Sequence, residues 1–137
     1  MALSAILDAM SNASKSRFRV FLFKGFASFA RRMHVSDEAL WEVALSSPDA
    51  DLGGGLYKYR IARPGEGARG GGRALIAMKV GSRAVLMLGW EKKDMENVTP
   101  KELKEYREAA KIYLGYTEQE MTRWVNDNVL IELTQPK

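Results

Sequence analysis

The stretch Leu56-Tyr57-Lys58-Tyr59-Arg60-Ile61-Ala62-Arg63, a glycine-rich turn, and then Gly70-Gly71-Gly72-Arg73-Ala74-Leu75-Ile76 decides the reading of this chain. It reads as two strands joined by a loop. In the first strand Tyr57, Tyr59 and Ile61 alternate with Lys58 and Arg60, so the two cations share a face about 7 Å apart. From Tyr57 to Lys93 there are nine Lys and Arg against two acids, a net +7, while the whole chain is +4 and the remainder −3. Positive charge focused on a small sheet points to a phosphate-rich partner. Ordinary solvated strand faces are the plainer reading of the same residues.

Strands 73–80 and 83–90 flank Gly81-Ser82, and Gly first in a two-residue loop marks a type II′ hairpin. In that register paired residues sum to 163, which sets Arg73 opposite Trp90, continues the same face to Lys92 and turns Lys93 away. An arginine beside an aromatic ring can hold a phosphate and stack a base. The alternative is a structural cation–π contact at the end of a sheet. Ala84 to Trp90 is apolar on both faces, as expected of a central strand covered by helices on one side.

Outward from this hairpin, Phe18 to Phe23 is rich in aromatic and branched residues and reads as a strand. Phe26, Phe29, Ala30 and Met33 share one helical face. Ser36 followed by Asp37 and Glu38 starts a second helix, which runs to about Ser46. Thr99-Pro100-Lys101-Glu102 and Thr117-Glu118-Gln119-Glu120 both read as capping boxes opening helices, with Gly115 as a stop between them. Val129 to Leu133 reads as a last short strand, either at an edge or docking on a partner protein. Leu3, Ile6, Leu7 and Met10 have helical spacing, and Ser11 to Ser16 reads as a linker, so residues 1–16 form an N-terminal extension and 17–137 a single domain.

Composition narrows the chemistry. The chain has 137 residues, 46% apolar, with no Cys and one His. One core is expected, and disulfide scaffolds, thiolate zinc sites and cysteine nucleophiles are excluded. His34 sits just past a helix end, where a capping or surface role is expected. No apolar run approaches the roughly 18 residues that span a bilayer, and the start of the chain lacks a secretory pattern, so a cytoplasmic location away from membranes is expected. The loop Pro64-Gly65-Glu66-Gly67-Ala68-Arg69-Gly70-Gly71-Gly72-Arg73 lacks a Gly-Lys-Ser/Thr ending and leads into a strand, which argues against a nucleotide-binding loop. It fits a hairpin tip carrying Arg63 and Arg69 beside a groove, or a plain solvent loop.

From about Phe18 to Leu133 the chain resembles the RelE-like toxins of bacterial type II toxin–antitoxin systems, in the HigB-related branch. The matching stretches are Asp51 to Arg63, then Gly65, Gly67, Gly70-Gly71 and Arg73, then Gly89-Trp90-Glu91-Lys92, Asn97, Thr99 to Leu103 and Leu130-Ile131-Glu132. The resemblance implies an α+β fold: two N-terminal helices on a curved, mainly antiparallel sheet with C-terminal helices. It implies an mRNA endoribonuclease, or mRNA interferase, that acts in the ribosomal A site and inhibits translation. It also implies a cognate antitoxin, expected to be a helix-turn-helix protein. Carried over by position, the catalytic set is Lys58, Arg60, Arg73 and Lys92. Arg63, Arg69, Trp90 and Lys93 are the expected RNA contacts. The chain departs from the family at Ala68, where a loop Lys is usual, and at Gly72, where an aromatic often precedes the Arg.

Cutting RNA without a metal requires a base for the 2′-OH, stabilisation of the phosphorane and an acid for the 5′-oxygen. With no suitably placed His, the work falls to cations and no cofactor is implied. Lys58 is then the base, Arg73 and Arg60 the phosphate clamp, and Lys92 the group at the leaving oxygen, with Trp90 stacking on a base or walling the site. The rival readings are a non-catalytic RNA- or partner-binding module, and a subunit that regulates transcription only within a toxin–antitoxin complex.

Overall fold

The structure of the protein, a computed structural model, describes residues 18–65, 67–95 and 97–136, with the backbone alone for 67–70. The expected extension over residues 1–16 lies outside the described residues. Strand β1 (Arg19–Phe23) runs directly into helix α1 (Lys24–Arg32), and helix α2 (Asp37–Leu45) follows. A short strand β2 (Ala50–Asp51) precedes β3 (Leu56–Arg63), β4 (Gly67–Lys79) and β5 (Arg83–Glu91). Helices α3 (Pro100–Gly115) and α4 (Glu118–Asn126) and strand β6 (Leu130–Leu133) complete the described chain. The six strands form one sheet in the order β2-β3-β4-β5-β1-β6. Every neighbouring pair is antiparallel except β1 with β5. This is the α+β architecture expected from the sequence. The last strand pairs with β1 and forms an edge of the sheet.

Alternation along the strands divides the core in two. Val20, Leu22, Tyr59, Ile61, Ala74, Ile76 and Leu86 pack under α1 and α2 with Phe26, Phe29, Leu40 and Trp41. Phe21, Leu56, Leu75, Ala77, Val85 and Met87 pack under α3 and α4 with Ala110 and Met121. Strand β5 is therefore covered by helices on both faces, not one, because Val85 and Met87 need the second layer as much as Leu86 needs the first.

Local chemistry sets the helix ends. The Ser36 side chain accepts from the Ala39 N–H at 3.1 Å. Thr117 and Glu120 form a reciprocal capping box. At Thr99 the box is incomplete: Thr99 Oγ1 accepts from the Glu102 N–H but donates to the Glu102 carboxylate, which is then turned away from the backbone. Helix α1 ends in a Schellman turn with His34 in the left-handed position, φ 58°, where the Val35 N–H donates to the Ala30 carbonyl. His34 is thus an exposed terminator of α1.

The β4–β5 hairpin differs from the expected two-residue type II′ turn. Lys79 pairs with Arg83 across Val80-Gly81-Ser82, the Ser82 N–H donates to the Lys79 carbonyl, and Gly81 takes the left-handed conformation at φ 76°. Near the turn the register is one residue off the expected one. A bulge opposite Leu75 and Ile76 inserts Met87 and restores it, so that Arg73 pairs with Trp90.

Candidate nucleic-acid interface

Arg60, Arg73 and Trp90 stand in register across β3, β4 and β5, a row of three side chains on the face of the sheet that α3 packs against. The strand spacing sets neighbours in that row about 5 Å apart at their backbones. One row further along, Lys58 lies opposite Leu75. Beyond the other side of the Arg73 row, the Lys92 N–H donates to the Gly71 carbonyl as β5 ends. The bulge at Met87 matters here. Without it, the three-residue turn would set Arg73 opposite Gly89 and turn Trp90 toward α1.

Each cation in this cluster has a different environment. Lys58 Nζ donates to Asn97 Oδ1 at 3.3 Å, from the segment that leads into α3. Arg60 Nε donates to Asp49 Oδ2 at 2.6 Å in a largely exposed ion pair. Lys92 and Lys93 are exposed, with no carboxylate partner among the described residues. Arg73 is only 8% exposed, and its one hydrogen bond among the described residues runs from Nη1 to the Gly72 carbonyl at 3.0 Å. No carboxylate among the described residues pairs with it, and its remaining nitrogens still touch solvent. A largely buried guanidinium with no carboxylate among the described residues and nitrogens still open to solvent is placed to receive an anion.

Several expected RNA contacts sit elsewhere. Arg63 is on the α1 side of the sheet, ion-paired to Glu91, with Nη2 3.8 Å from Met33 Sδ. Plain strand alternation accounts for this, because Arg63 shares the parity of Tyr59 and Ile61 and not that of Lys58 and Arg60. Trp90 is 6% exposed and part of the core under α3, so its ring offers no open face to a base. The side chain of Arg69 lies outside the described residues. Arg83, one of the nine cations of the central stretch, is buried in an ion pair with Glu118 far from the row.

Two residues that touch the cluster were not singled out for it from the sequence. Asp49 had no local signal, since its partner is 11 residues away. Asn97 belongs to the matched pattern, yet nothing in the sequence pairs it with Lys58. The glycine at position 72 has its own explanation. It faces α1, and a Cβ there would come within 2.7 Å of Phe29 Cζ. The space that an aromatic at this position would need is filled by the Phe29 ring from behind the sheet.

A mostly antiparallel sheet with two helices on each face, carrying Lys58, Arg60 and an Arg73 without a carboxylate partner among the described residues, defines a small α+β protein. The family model described as the RelE toxin of the RelE/RelB toxin–antitoxin system matches residues 18–133. The chain belongs to that family, and RelE toxins pair with an antitoxin. No curated protein matches the sequence. Among the described residues, no helix is long and apolar enough to cross a membrane.

Proposed function

We propose that this toxin is a cytoplasmic, ribosome-dependent mRNA endoribonuclease that inhibits translation by a phosphodiester cleavage needing no metal. The observation that carries the reading is Arg73, buried to 8% exposure beside Trp90 without a carboxylate among the described residues. In this mechanism Arg73 holds the scissile phosphate through two N–H groups and stabilises the charge that grows on the phosphorane. Lys58, fixed by Asn97, takes the proton of the 2′-OH as the O2′–P bond forms. Lys92 gives a proton to O5′ as the P–O5′ bond breaks, leaving a cyclic phosphate and a free 5′-OH. Arg60 joins the clamp by exchanging Asp49 for the phosphate. Lys93 supplies a further backbone contact, and the cognate antitoxin is a helix-turn-helix protein.

The Arg60–Asp49 pair favours a second reading, a toxin relative that binds RNA or its antitoxin without cutting. Inducing the chain alone in a bacterial host, wild type against Arg73→Ala, with growth followed and mRNA 5′ ends mapped, separates the two. Arrest with new ends in translated messages, lost in the variant, supports the nuclease. Normal growth with no new ends, from folded protein, supports the binding module. Repeating the cleavage with purified protein and message, with and without ribosomes, tests the ribosome dependence.

A further inference from the structure

At the turn end of the β4–β5 hairpin, on the α1–α2 side and so on the opposite face from Lys58 and Arg73, lies an apolar groove of about 500 Å³. Phe18, Leu45, Tyr57, Tyr59, Met78 and Val80 line it. Two of them are strongly exposed, Leu45 at 67% and Val80 at 90%. Apolar side chains grouped in this way call for a cover.

We propose that the cover is residues 3–10 of this same chain, docked in the groove through Leu3, Ile6, Leu7 and Met10. Three observations select this occupant. Phe18, the first described residue, is itself a wall of the groove, so the preceding chain departs from its rim. The four apolar residues recur at intervals of three and four, which gives one continuous ridge when helical. The intervening residues 11–17 reach about 23 Å when extended, enough to turn the ridge back across a groove of this size. Charge agrees as well. Lys15 and Arg17 precede Phe18, and Glu38 and Glu42 line the cleft adjoining it. The segment thereby seals a surface on the side of the sheet away from the proposed cleavage face, and the inference uses none of the residues assigned to cleavage.

The chain has no Cys, so introduced pairs report cleanly. Full-length protein carrying Leu7→Cys with Val80→Cys is compared under mild oxidation with Leu7→Cys and Ile112→Cys, whose second site is 55% exposed on α3 across the sheet. The docked segment forms the intrachain 7–80 disulfide at least about tenfold faster than the 7–112 one. Equal rates overturn the proposal, and so do disulfides that join two chains, which would put a second copy in the groove. A second readout avoids cysteine altogether. Chymotrypsin cuts after Leu7 and Met10 several-fold faster in Val80→Asp than in wild type when docking protects them, and an unchanged rate overturns the proposal.

Discussion

The two ends of the β4–β5 hairpin each bury an arginine, and they treat it in opposite ways. Arg83, 1% exposed, donates from Nη1 to the Tyr113 carbonyl at 2.8 Å and from Nη2 to Glu118 at 2.9 Å. Glu118 also accepts from Arg19, which is held in turn by Glu132 at 2.7 Å, so β1, β5, β6 and α4 are tied through one charge network. Among the described residues Arg73 has only the carbonyl of its own neighbour. Arg83 is sealed in with a carboxylate, whereas Arg73 keeps nitrogens in reach of solvent and has no carboxylate among the described residues. A paired buried charge is consistent with architecture, whereas an unpaired one lowers stability and survives where a ligand repays the cost.

The largest expected effect breaks that comparison directly. Arg73→Ala lowers RNA cleavage by about 10²- to 10³-fold, as losing a principal charge-stabilising donor does, and shifts unfolding free energy by no more than about 1 kcal/mol. Arg83→Ala does the reverse. It costs about 3 kcal/mol, near the low end for breaking a buried pair because Glu118 is partly exposed, and leaves cleavage per folded molecule unchanged. Urea unfolding and a cleavage assay on both variants decide it. If Arg73→Ala unfolds the protein and Arg83→Ala removes activity, the two ends have been assigned the wrong way round.

Behind the Arg73 row the sheet is seated on a ring. A Cβ at Gly89 would overlap the Phe29 ring, and one at Gly72 would crowd it as well. Gly89→Ala therefore destabilises the protein by about 2–3 kcal/mol through overpacking. Pairing it with Phe29→Leu recovers about 1 kcal/mol of that loss, the coupling expected of residues in contact. Additive losses in the double variant would mean that the ring does not set the spacing behind Arg73.

The same contrast explains what could be read from the sequence. The Arg73–Trp90 pairing was legible, but through two departures that cancel: the turn is one residue longer than its Gly-Ser signature suggests, and Met87 is extruded to compensate. A bulge in an apolar strand leaves no mark in the pattern, since Met87 is buried like its neighbours. The charge count was legible, yet its meaning was not. The partners of Arg83 and Arg63 come from 35 and 28 residues away in sequence, and only the fold shows which cations they remove from the patch. Gly72 looked like a missing ring on the RNA face because strand alternation was not followed through to α1.

The Glu118 network also gives the paired end a pH signature. Burial alone would raise the Glu118 pKa, but hydrogen bonds from Arg83, Arg19 and Ser82 and the charge of Arg83 outweigh it and hold the pKa below the usual carboxylate value. A depressed folded pKa contributes stability that is present above about pH 4.3 and is lost as pH falls through the folded value. The stability gap between wild type and Glu118→Gln is thus widest above about pH 5 and narrows on acidification. A constant gap from pH 7 to pH 3, measured by denaturant unfolding, would remove Glu118 from the network's energetics.

The smallest effect sharpens the other end. Asp49 and Arg60 form an exposed pair, so Asp49→Asn changes stability by less than about 0.5 kcal/mol. Its consequence lies in binding. Arg60 stands in register beside Arg73, and once released from Asp49 it faces the same anion. Affinity for a short single-stranded RNA at low salt should rise, and the salt slope of log K should steepen by about 0.7, the increment for one added phosphate contact. An unchanged slope would show that Arg60 faces away from the bound strand, leaving Arg73 to hold the phosphate alone. Asp49 would then be a fixed anchor for β2, and not a counter-ion that RNA displaces.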